Sequence, residues 1–316
     1  MTDSPILAFA GTPDFAAIQL KALLEAGYKV SAVYTQPDRP KGRGQRLQPS
    51  PVKEVALAYN LPVFQPSSLK KEDATAPLKS IQPDLLIVSA YGLILPTSVL
   101  NIPKYGCWNV HASLLPHHRG AAPIQYALLS GESTTGVTLM LMDKGMDTGD
   151  MLLKASTPIQ NFDTTGTLHD RLAELGTSLL LDGLKDIEKL NAERQVQDHA
   201  KASYAPKIQK SQAHIDFSTS ADQIDRQIRA FTPWPTAFFE HNEKAIKVHQ
   251  AKVEATSHTA EPGTVLSVSA EGLVIACGSG ALRIQTIQLP NKKAVALKDF
   301  LNAFPAFFSE GMRVDR

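Results

Sequence analysis

The sequence predicts an α/β domain with a mostly parallel sheet, followed by a small β-rich domain, best interpreted as a barrel. Two observations lead to this fold class. Up to residue 190, short apolar runs alternate with helical patterns, as in β-α-β units. Beyond Ile215 the segments become short and alternating and are separated by turn signals. The length of 316 residues also exceeds the usual size of one core, which favours two domains.

The chain opens with a β-α-β unit. The apolar run Ile6–Ala10 predicts a strand, a helix ends near Ala26, and Val30–Tyr34 predicts the next strand. The turn Gly11-Thr12-Pro13 lacks the GxGxxG spacing, and no acidic ribose-binding residue follows the second strand, which argues against NAD. The alternation then continues through a helix at 50–59, strands at 85–89 and 105–111, a helix at 123–129, a strand at 137–142 and a helix at 168–184.

The second half of the sequence predicts a linker and a separate domain. Residues 191–200 are polar and contain little apolar surface, so we interpret 191–208 as a linker between a catalytic domain at 1–190 and a domain at 209–316. The predicted strands of the second domain are 245–248, 263–268, 272–276 and 281–287. Their short, regular spacing is typical of a small barrel.

The composition excludes several classes of function. The formal net charge is +1, and 20% of the residues are charged. The protein as a whole therefore has no electrostatic field that would attract nucleic acid or a membrane, and any basic surface must be local. Cys107 and Cys277 are too few for a disulfide framework or a cysteine metal cluster. The start, Met1–Pro5, lacks the basic region of a signal peptide, and the apolar runs are much shorter than the ~20 residues of a membrane helix. We expect a monomeric cytoplasmic protein without a membrane span.

Three polar residues point to acyl-transfer chemistry. Asn109 and His111 are two apart on a predicted strand, so their side chains share a face. An amide N–H can polarise a carbonyl oxygen, and an imidazole can move a proton near neutral pH. Asp147 would orient the imidazole. Ligands of parallel sheets bind at the carboxyl ends of strands, where we expect both this pair and the loop after Met142.

A structural interpretation of the same residues stays open at this point. A histidine at a strand end is more often hydrogen-bonded for structure than catalytic, and Asp147 lies between two glycines, as in a turn. The segment Gln36–Arg46 has a similar ambiguity, because its four basic residues suit either a solvated loop or an arm that contacts phosphates.

Motifs along nearly the whole chain resemble those of the methionyl-tRNA formyltransferases. Several are individually specific, and their order also matches. They are Phe9-Ala10-Gly11-Thr12-Pro13-Asp14-Phe15-Ala16, Gln36-Pro37-Asp38-Arg39-Pro40, Ala90-Tyr91-Gly92-Leu93-Ile94-Leu95-Pro96, Asn109-Val110-His111-Ala112-Ser113-Leu114-Leu115-Pro116, Arg119-Gly120-Ala121-Ala122-Pro123-Ile124-Gln125, Asp147-Thr148-Gly149-Asp150-Met151, Tyr204-Ala205-Pro206-Lys207 and Phe231-Thr232-Pro233-Trp234-Pro235.

The resemblance implies a Rossmann-like formyltransferase domain joined to an OB-like barrel. The implied reaction moves the formyl group of 10-formyltetrahydrofolate to the α-amine of methionine on initiator tRNA. Asn109, His111 and Asp147 match the family's catalytic positions. The implied folate-binding residues are Leu93, Leu95, Ser113, Leu114, Leu115 and Pro116. No metal is implied, and the pair His117-His118 lacks matched ligands nearby.

The implied RNA contacts are basic residues. In the family, the loop corresponding to 36–48 enters the acceptor stem, so we expect Arg43 to discriminate the initiator end. The full predicted set is Arg39, Lys41, Arg43, Arg46, Lys207 and Lys210. Three alternatives stay open: a glycinamide ribonucleotide formyltransferase, a sugar-nucleotide formyltransferase, and a non-catalytic RNA-binding protein on the same fold.

Overall fold

The computed structural model describes residues 4–41 and 46–314, and no side chain within 41–46 is described. The chain forms two compact units, each built from more than one stretch of sequence. The units consist of residues 1–123, 134–158 and 169–205, and of residues 124–133, 159–168 and 206–316. Residues 191–205 of the predicted linker thus belong to the first compact unit, and the division at 190 and 208 stays a prediction.

The strands of the first unit lie between residues 6 and 205. They are β1 (Ile6–Gly11), β2 (Lys29–Tyr34), β3 (Arg39–Lys41), β4 (Arg46–Gln48), β5 (Val63–Phe64), β6 (Leu85–Ser89), β7 (Cys107–His111), β8 (Arg119–Gly120), β9 (Thr134–Leu141), β10 (Met151–Pro158) and β11 (Tyr204–Ala205). The predicted strands are all present, whereas the sequence patterns gave no prediction for β3, β4, β5, β8, β10 or β11.

Helices connect these strands. Up to residue 192 they are α1 (Asp14–Glu25), α2 (Pro51–Ala58), α3 (Glu72–Ile81), α4 (Thr97–Leu100), α5 (Pro123–Leu129), α6 (Thr165–Gly183) and α7 (Ile187–Ala192). The start of α2 is defined by local chemistry, since the Ser50 side chain accepts a hydrogen bond from Lys53 N and Pro51 occupies the first turn. Over the part of the chain that the structure describes, no helix is both long and apolar enough to cross a bilayer.

The main sheet has the strand order β10-β9-β7-β6-β1-β2-β5. The strands from β7 to β5 run parallel, which confirms the prediction of a mostly parallel sheet. β9 is antiparallel to β7, and β10 is antiparallel to β9. The strand order changes direction at β1: β2 and β5 follow on one side of it, and β6 and β7 on the other. In open parallel sheets, ligands bind at the carboxyl ends of the strands on either side of such a point.

Helix α6 packs closely behind the strand that carries Asn109 and His111. A Cβ atom at Gly176 would lie 2.9 Å from Val110 Cγ1, and one at Gly183 would lie 2.8 Å from Leu139 Cδ2. Glycine at these two positions lets the helix backbone approach the sheet. The position of β7 is therefore fixed from behind by a tight helix contact.

The second unit has an antiparallel sheet and its own core. Its elements beyond residue 206 are α8 (Ala221–Ala230), β12 (Phe238–His241), β13 (Lys244–Glu254), β14 (Val265–Ser269), β15 (Gly272–Ala276), β16 (Ala281–Gln288), β17 (Val295–Ala296) and α9 (Leu297–Ala303). The strand order is β12-β13-β16-β15-β14, with β17 beside β16. Phe239, Phe300 and Phe308 pack in the core. This half-barrel sheet confirms the predicted OB-like second domain.

Candidate active site

Strand β7 ends with the two polar side chains that the sequence singles out. Asn109 lies opposite Val88 of β6, and His111 lies opposite Thr138 of β9. Asn109 is half-buried, whereas His111 is only 6% exposed. Since residues two apart share a face of a strand, the amide and the imidazole point to the same side of the sheet.

The Asp147 carboxylate faces both of these side chains. Its Oδ2 atom lies 3.7 Å from His111 Nδ1, and its Oδ1 atom accepts a hydrogen bond from Asn109 Nδ2 at 3.4 Å. Oδ2 also accepts a hydrogen bond from Gly120 N at 2.8 Å. The structure thus brings the three predicted catalytic side chains together, and a backbone N–H holds the carboxylate.

A second contact of His111 determines which ring nitrogen exchanges a proton. His111 Nε2 lies 3.0 Å from the carbonyl oxygen of His118. A carbonyl oxygen can only accept a hydrogen bond, so Nε2 carries the proton of the neutral imidazole. Nδ1, which faces Asp147, is therefore the nitrogen that gains or loses a proton.

The loop that carries Asp147 begins at a different edge of the sheet from the expected one. Because β9 is antiparallel to β7, Met142 N donates to Cys107 O at 2.8 Å, at the amino end of β7. The expectation that the loop after Met142 starts at the carboxyl edge is therefore wrong. The loop 142–150 instead runs back toward the other end of β7 and so brings Asp147 to His111.

The run Ser113–Pro116 leaves β7 and is held by side chains of the neighbouring strands. Thr138 Oγ1 donates to Ser113 O at 2.7 Å and accepts from Leu115 N at 3.0 Å. Lys154 Nζ donates to Leu115 O at 2.5 Å, and partial burial lowers the pKa of Lys154. Ser113 and Leu115 are buried, whereas Leu114 and Pro116 are half-buried. This backbone is thus fixed directly after the candidate catalytic residues.

The loop with Leu93 and Leu95 is anchored to residues that follow β1 and β2. Tyr91 O accepts hydrogen bonds from Thr12 Oγ1 at 3.0 Å and from Gln36 Nε2 at 2.9 Å. Leu95 is buried, and Leu93 packs against the same apolar cluster. Thr12 and Gln36 follow the carboxyl ends of β1 and β2. The loop with Leu93 and Leu95, which is predicted to bind the folate, therefore lies at the carboxyl edge of the sheet.

The basic segment begins beside this loop. Arg39 is exposed, and its Nη2 atom donates to Gln36 Oε1 at 2.5 Å. Lys41 and Arg46 face each other across the β3–β4 ladder, although their side chains are not described. Arg43 lies outside the described residues. Gln36 therefore contacts both the Arg39 side chain and the backbone of the loop with Leu93 and Leu95.

The other two predicted RNA contacts lie in the second unit. Lys207 and Lys210 are both exposed, and Lys210 starts the short 3-10 turn Lys210–Ala213. Exposed lysines suit contact with phosphate. Their role stays a prediction.

Two further site residues were not indicated by the sequence patterns: Arg119 and Gln197, each only 2% exposed. Arg119 Nε and Nη2 both donate to Gln197 Oε1, at 3.0 and 2.7 Å. Gln197 lies in the polar stretch that predicts a linker, and no periodicity distinguishes it from its exposed neighbours. Arg119 appears in one of the family motifs, which is the signal that could have found it.

The two cysteines are buried, which makes them poorly suited to nucleophilic chemistry. Burial raises the pKa of Cys107 to about 12, and burial also raises the pKa of Cys277 to about 12. Both thiols therefore stay protonated and are poor nucleophiles. Within the described ranges, no three His, Cys, Asp or Glu side chains are grouped so that they would hold a metal ion.

Comparison with known proteins identifies the family. The model of the formyl transferase family matches residues 5–184, and that of the formyl transferase C-terminal domain matches residues 207–305. The fold and the site therefore define a formyl transferase. A methionyl-tRNA formyltransferase from Marinobacter nauticus is 54% identical over 296 residues, which cover 94% of this chain and 95% of the relative. The chain belongs to the methionyl-tRNA formyltransferase family.

Solved structures support the fold at much lower identity. An N-formyltransferase from Helicobacter canadensis, in complex with folinic acid and dTDP-3-aminofucose, has a TM-score of 0.67 at 21% identity and covers 88% of this chain and 98% of its own. HypX from Aquifex aeolicus, in complex with tetrahydrofolic acid, has a TM-score of 0.64 at 17% identity and covers 99% of this chain. The present chain spans 50% of the length of HypX. These likenesses concern the fold alone.

Proposed function

We propose that this chain transfers the formyl group of 10-formyltetrahydrofolate to the α-amine of methionine on initiator tRNA. The products are N-formylmethionyl-tRNA, for translation initiation, and tetrahydrofolate. One observation carries the proposal: Asn109, His111 and Asp147 converge at a strand end in a chain that is 54% identical to a methionyl-tRNA formyltransferase.

In the proposed mechanism, the neutral amine attacks the formyl carbon and negative charge develops on the formyl oxygen. Asn109 stabilises this charge. One of its two amide N–H groups points to Asp147 Oδ1, so the amide is held in place and the other N–H is left for the oxyanion. N10 of the folate then departs and takes up the proton that the amine has lost, which gives tetrahydrofolate and leaves the formyl group on the amine.

His111 and Asp147 accept and pass on the proton of the attacking amine. Because Nε2 is engaged with the His118 carbonyl oxygen, Nδ1 is the nitrogen that exchanges protons. A proton on Nδ1 faces the Asp147 carboxylate, 3.7 Å away, and a water molecule can relay it. The protonated ring adds a positive charge near the developing oxyanion, beside the neutral amide of Asn109.

The donor would lie between two segments that flank this centre. The proposed folate-binding residues are Leu93, Leu95, Ser113, Leu114, Leu115 and Pro116. The Thr138 and Lys154 contacts to the run 113–116 would keep the donor's formyl group at a fixed position relative to Asn109. The proposed mechanism requires no metal, since the polar side chains supply the stabilisation of charge.

The proposed RNA contacts are basic and local, which agrees with a net charge of only +1. Residues 1–190 would carry the chemistry and residues 209–316 would contribute to tRNA binding, joined by 191–208. Binding should weaken steeply with salt, because each phosphate contact releases a counterion. The proposed contacts are Arg39, Lys41, Arg43, Arg46, Lys207 and Lys210. We further propose that the protein acts as a monomer in the cytoplasm.

Formylation of charged tRNA tests the proposal. Purified protein is incubated with 10-formyltetrahydrofolate and methionine-charged initiator or elongator tRNA, and formyl-methionine is measured. We expect product from the initiator, little from the elongator, and none without the donor or with a folded His111→Ala variant. dTDP-3-aminofucose serves as a control acceptor. Formylation of the amino sugar, or absence of formyl-methionine, would contradict the proposal.

A further inference from the structure

A buried guanidinium and a buried amide lie behind the loop that carries Asp147. The two guanidinium hydrogen bonds from Arg119 converge on Gln197 Oε1, and Arg119 Nη2 lies 3.0 Å from His199 Nδ1. Since Arg119 can only donate, the Gln197 oxygen must be the atom that faces it. The orientation of the Gln197 amide is therefore determined, with its nitrogen directed away from Arg119.

The nitrogen of Gln197 holds the Asp147 loop by its backbone. Gln197 Nε2 donates to Asp147 O at 2.8 Å and to Gly149 O at 2.7 Å. One amide group thus uses both of its N–H groups on carbonyls two residues apart. Reversal of the amide would place its oxygen against these two carbonyls, which is unfavourable because all three atoms are acceptors.

Asp147 needs this support because its backbone is in the left-handed region, with φ of 54°. A non-glycine residue in this region costs on the order of 1 kcal/mol and stays there only when its surroundings hold it. The carboxylate is fixed by Gly120 N and the carbonyl by Gln197 Nε2. Without the second contact, the loop can relax to a commoner conformation that carries the carboxylate away from His111.

We propose that Gln197 is a positioning residue for the reaction, and that Arg119 acts through it by fixing the direction of its amide. This inference rests on the proposed function, in which Asp147 acts with His111 and Asn109. Gln197 touches no reacting atom in this scheme. Its effect is to keep the Asp147 carboxylate within reach of His111 Nδ1.

The substitution Gln197→Glu separates positioning from folding. The new carboxylate has the same shape and still accepts both hydrogen bonds from Arg119, now as an ion pair, so the fold is retained. Its other oxygen faces the Asp147 and Gly149 carbonyls and has no proton to donate. The matched control is Gln195→Glu, which makes the same change of charge at an exposed glutamine two residues earlier. A second variant, Gln197→Met, removes both the donor and the acceptor.

The expected result is a kcat lowered by roughly 10- to 100-fold in Gln197→Glu, with the KM values for donor and tRNA unchanged and with the protein still folded at the assay temperature, although at a lower Tm. Hydrogen exchange of the backbone amides in 143–150 should also accelerate. Gln195→Glu should match the wild type, and Gln197→Met should lose kcat as Gln197→Glu does. If Gln197→Glu does not fold, Gln197→Met decides by the same readouts.

Two outcomes overturn the inference in different ways. Wild-type kcat in a folded Gln197 variant, or a loss that Gln195→Glu reproduces, overturns the role of Gln197 and leaves the proposed function intact. A wild-type enzyme that does not formylate tRNA overturns the proposed function, and this role with it.

Discussion

Gly120 and Asp147 are joined by a hydrogen bond of 2.8 Å from the backbone N–H to the carboxylate. The same oxygen, Oδ2, faces His111 Nδ1. A carboxylate can accept from both directions at once, whereas an amide in its place offers only one acceptor atom. Oδ1 accepts from Asn109, so the arrangement of Gly120, His111 and Asn109 around Asp147 depends on both carboxylate oxygens.

The substitution Asp147→Asn should lower kcat by about 100-fold, because the amide cannot serve Gly120, Asn109 and His111 together. Steady-state kinetics of tRNA formylation measure the effect, and circular dichroism checks the fold. Asp150→Asn is the matched control, since Asp150 lies in the same loop and pairs with Arg194 instead. A kcat for Asp147→Asn equal to that of the control would contradict the role of the carboxylate.

The substitution Thr138→Val should destabilise the run after β7. Valine keeps the shape but loses the hydrogen bonds to Ser113 O and Leu115 N, which are left buried without these partners. We expect the free energy of unfolding to fall by about 2 kcal/mol, and the KM for the folate donor to rise. Urea titrations and donor kinetics measure these effects. Thr135→Val, on the same strand, should leave the donor KM unchanged, and an equal rise there would argue against the contact.

The substitution Gly92→Ala should disturb the junction between Gln36 and Tyr91. Gly92 has φ of 77°, and an added Cβ would lie 2.3 Å from Gln36 Nε2. Gly27→Ala is the matched control, since Gly27 has φ of 83° with nothing within 4 Å of the new Cβ. Both variants bear the backbone cost of about 1 kcal/mol, and only Gly92→Ala adds the clash.

Denaturant titrations should therefore show a larger loss for Gly92→Ala than for Gly27→Ala. In a Gln36→Ala background the clashing side chain is absent, so Gly92→Ala should cost no more there than Gly27→Ala does. If the two single variants lose the same free energy of unfolding, the contact with Gln36 has no energetic role.

The ion pair of Asp38 and Lys53 should make the anchoring of the basic segment sensitive to acid. The hydrogen bond from Lys53, followed by that from Gln65, lowers the pKa of Asp38 from 3.8. A carboxyl with a lowered folded pKa contributes stability that is present above 3.8 and is lost as the pH falls through the folded pKa. Asp38→Asn should thus be less stable than the wild type at neutral pH, and the difference should shrink in acid.

Unfolding titrations of both proteins across this pH range measure the difference. In a Lys53→Met background, the pH-dependent part should be smaller, because the main cause of the shift is gone. A difference that is independent of pH would rule out a role for the charge of Asp38.

Much of the fold was predictable because its signals are local. The apolar run Leu85–Ser89 is buried along its whole length, as its composition indicates, and Ser50 with Pro51 marks the start of α2. Other elements gave weaker signals. β10 lies at the edge of the sheet and alternates mainly between half-buried and exposed positions, and α3 contains Pro77 in its interior.

The candidate site was predictable where its residues are close in sequence. A strand fixes the relation of Asn109 to His111 through its period of two, so the sequence determines that they share a face. Asp147 was predicted as a partner of His111, but the loop after Met142 begins at the amino end of β7 and not at the expected carboxyl edge. The direction of β9 depends on pairing with β7, which no local pattern encodes.

What the sequence by itself determined is the kind of protein: the alternation of strands and helices, the paired Asn109 and His111, and the family motifs in their order. What only the tertiary structure decided is how Asp147 is held, by Gly120 on one side and by Gln197 on the other. Gln197 lies 50 residues beyond Asp147 in a polar stretch. Hydrogen bonds between such distant groups depend on the packing of the whole unit, so the sequence pattern around either residue carries no trace of them.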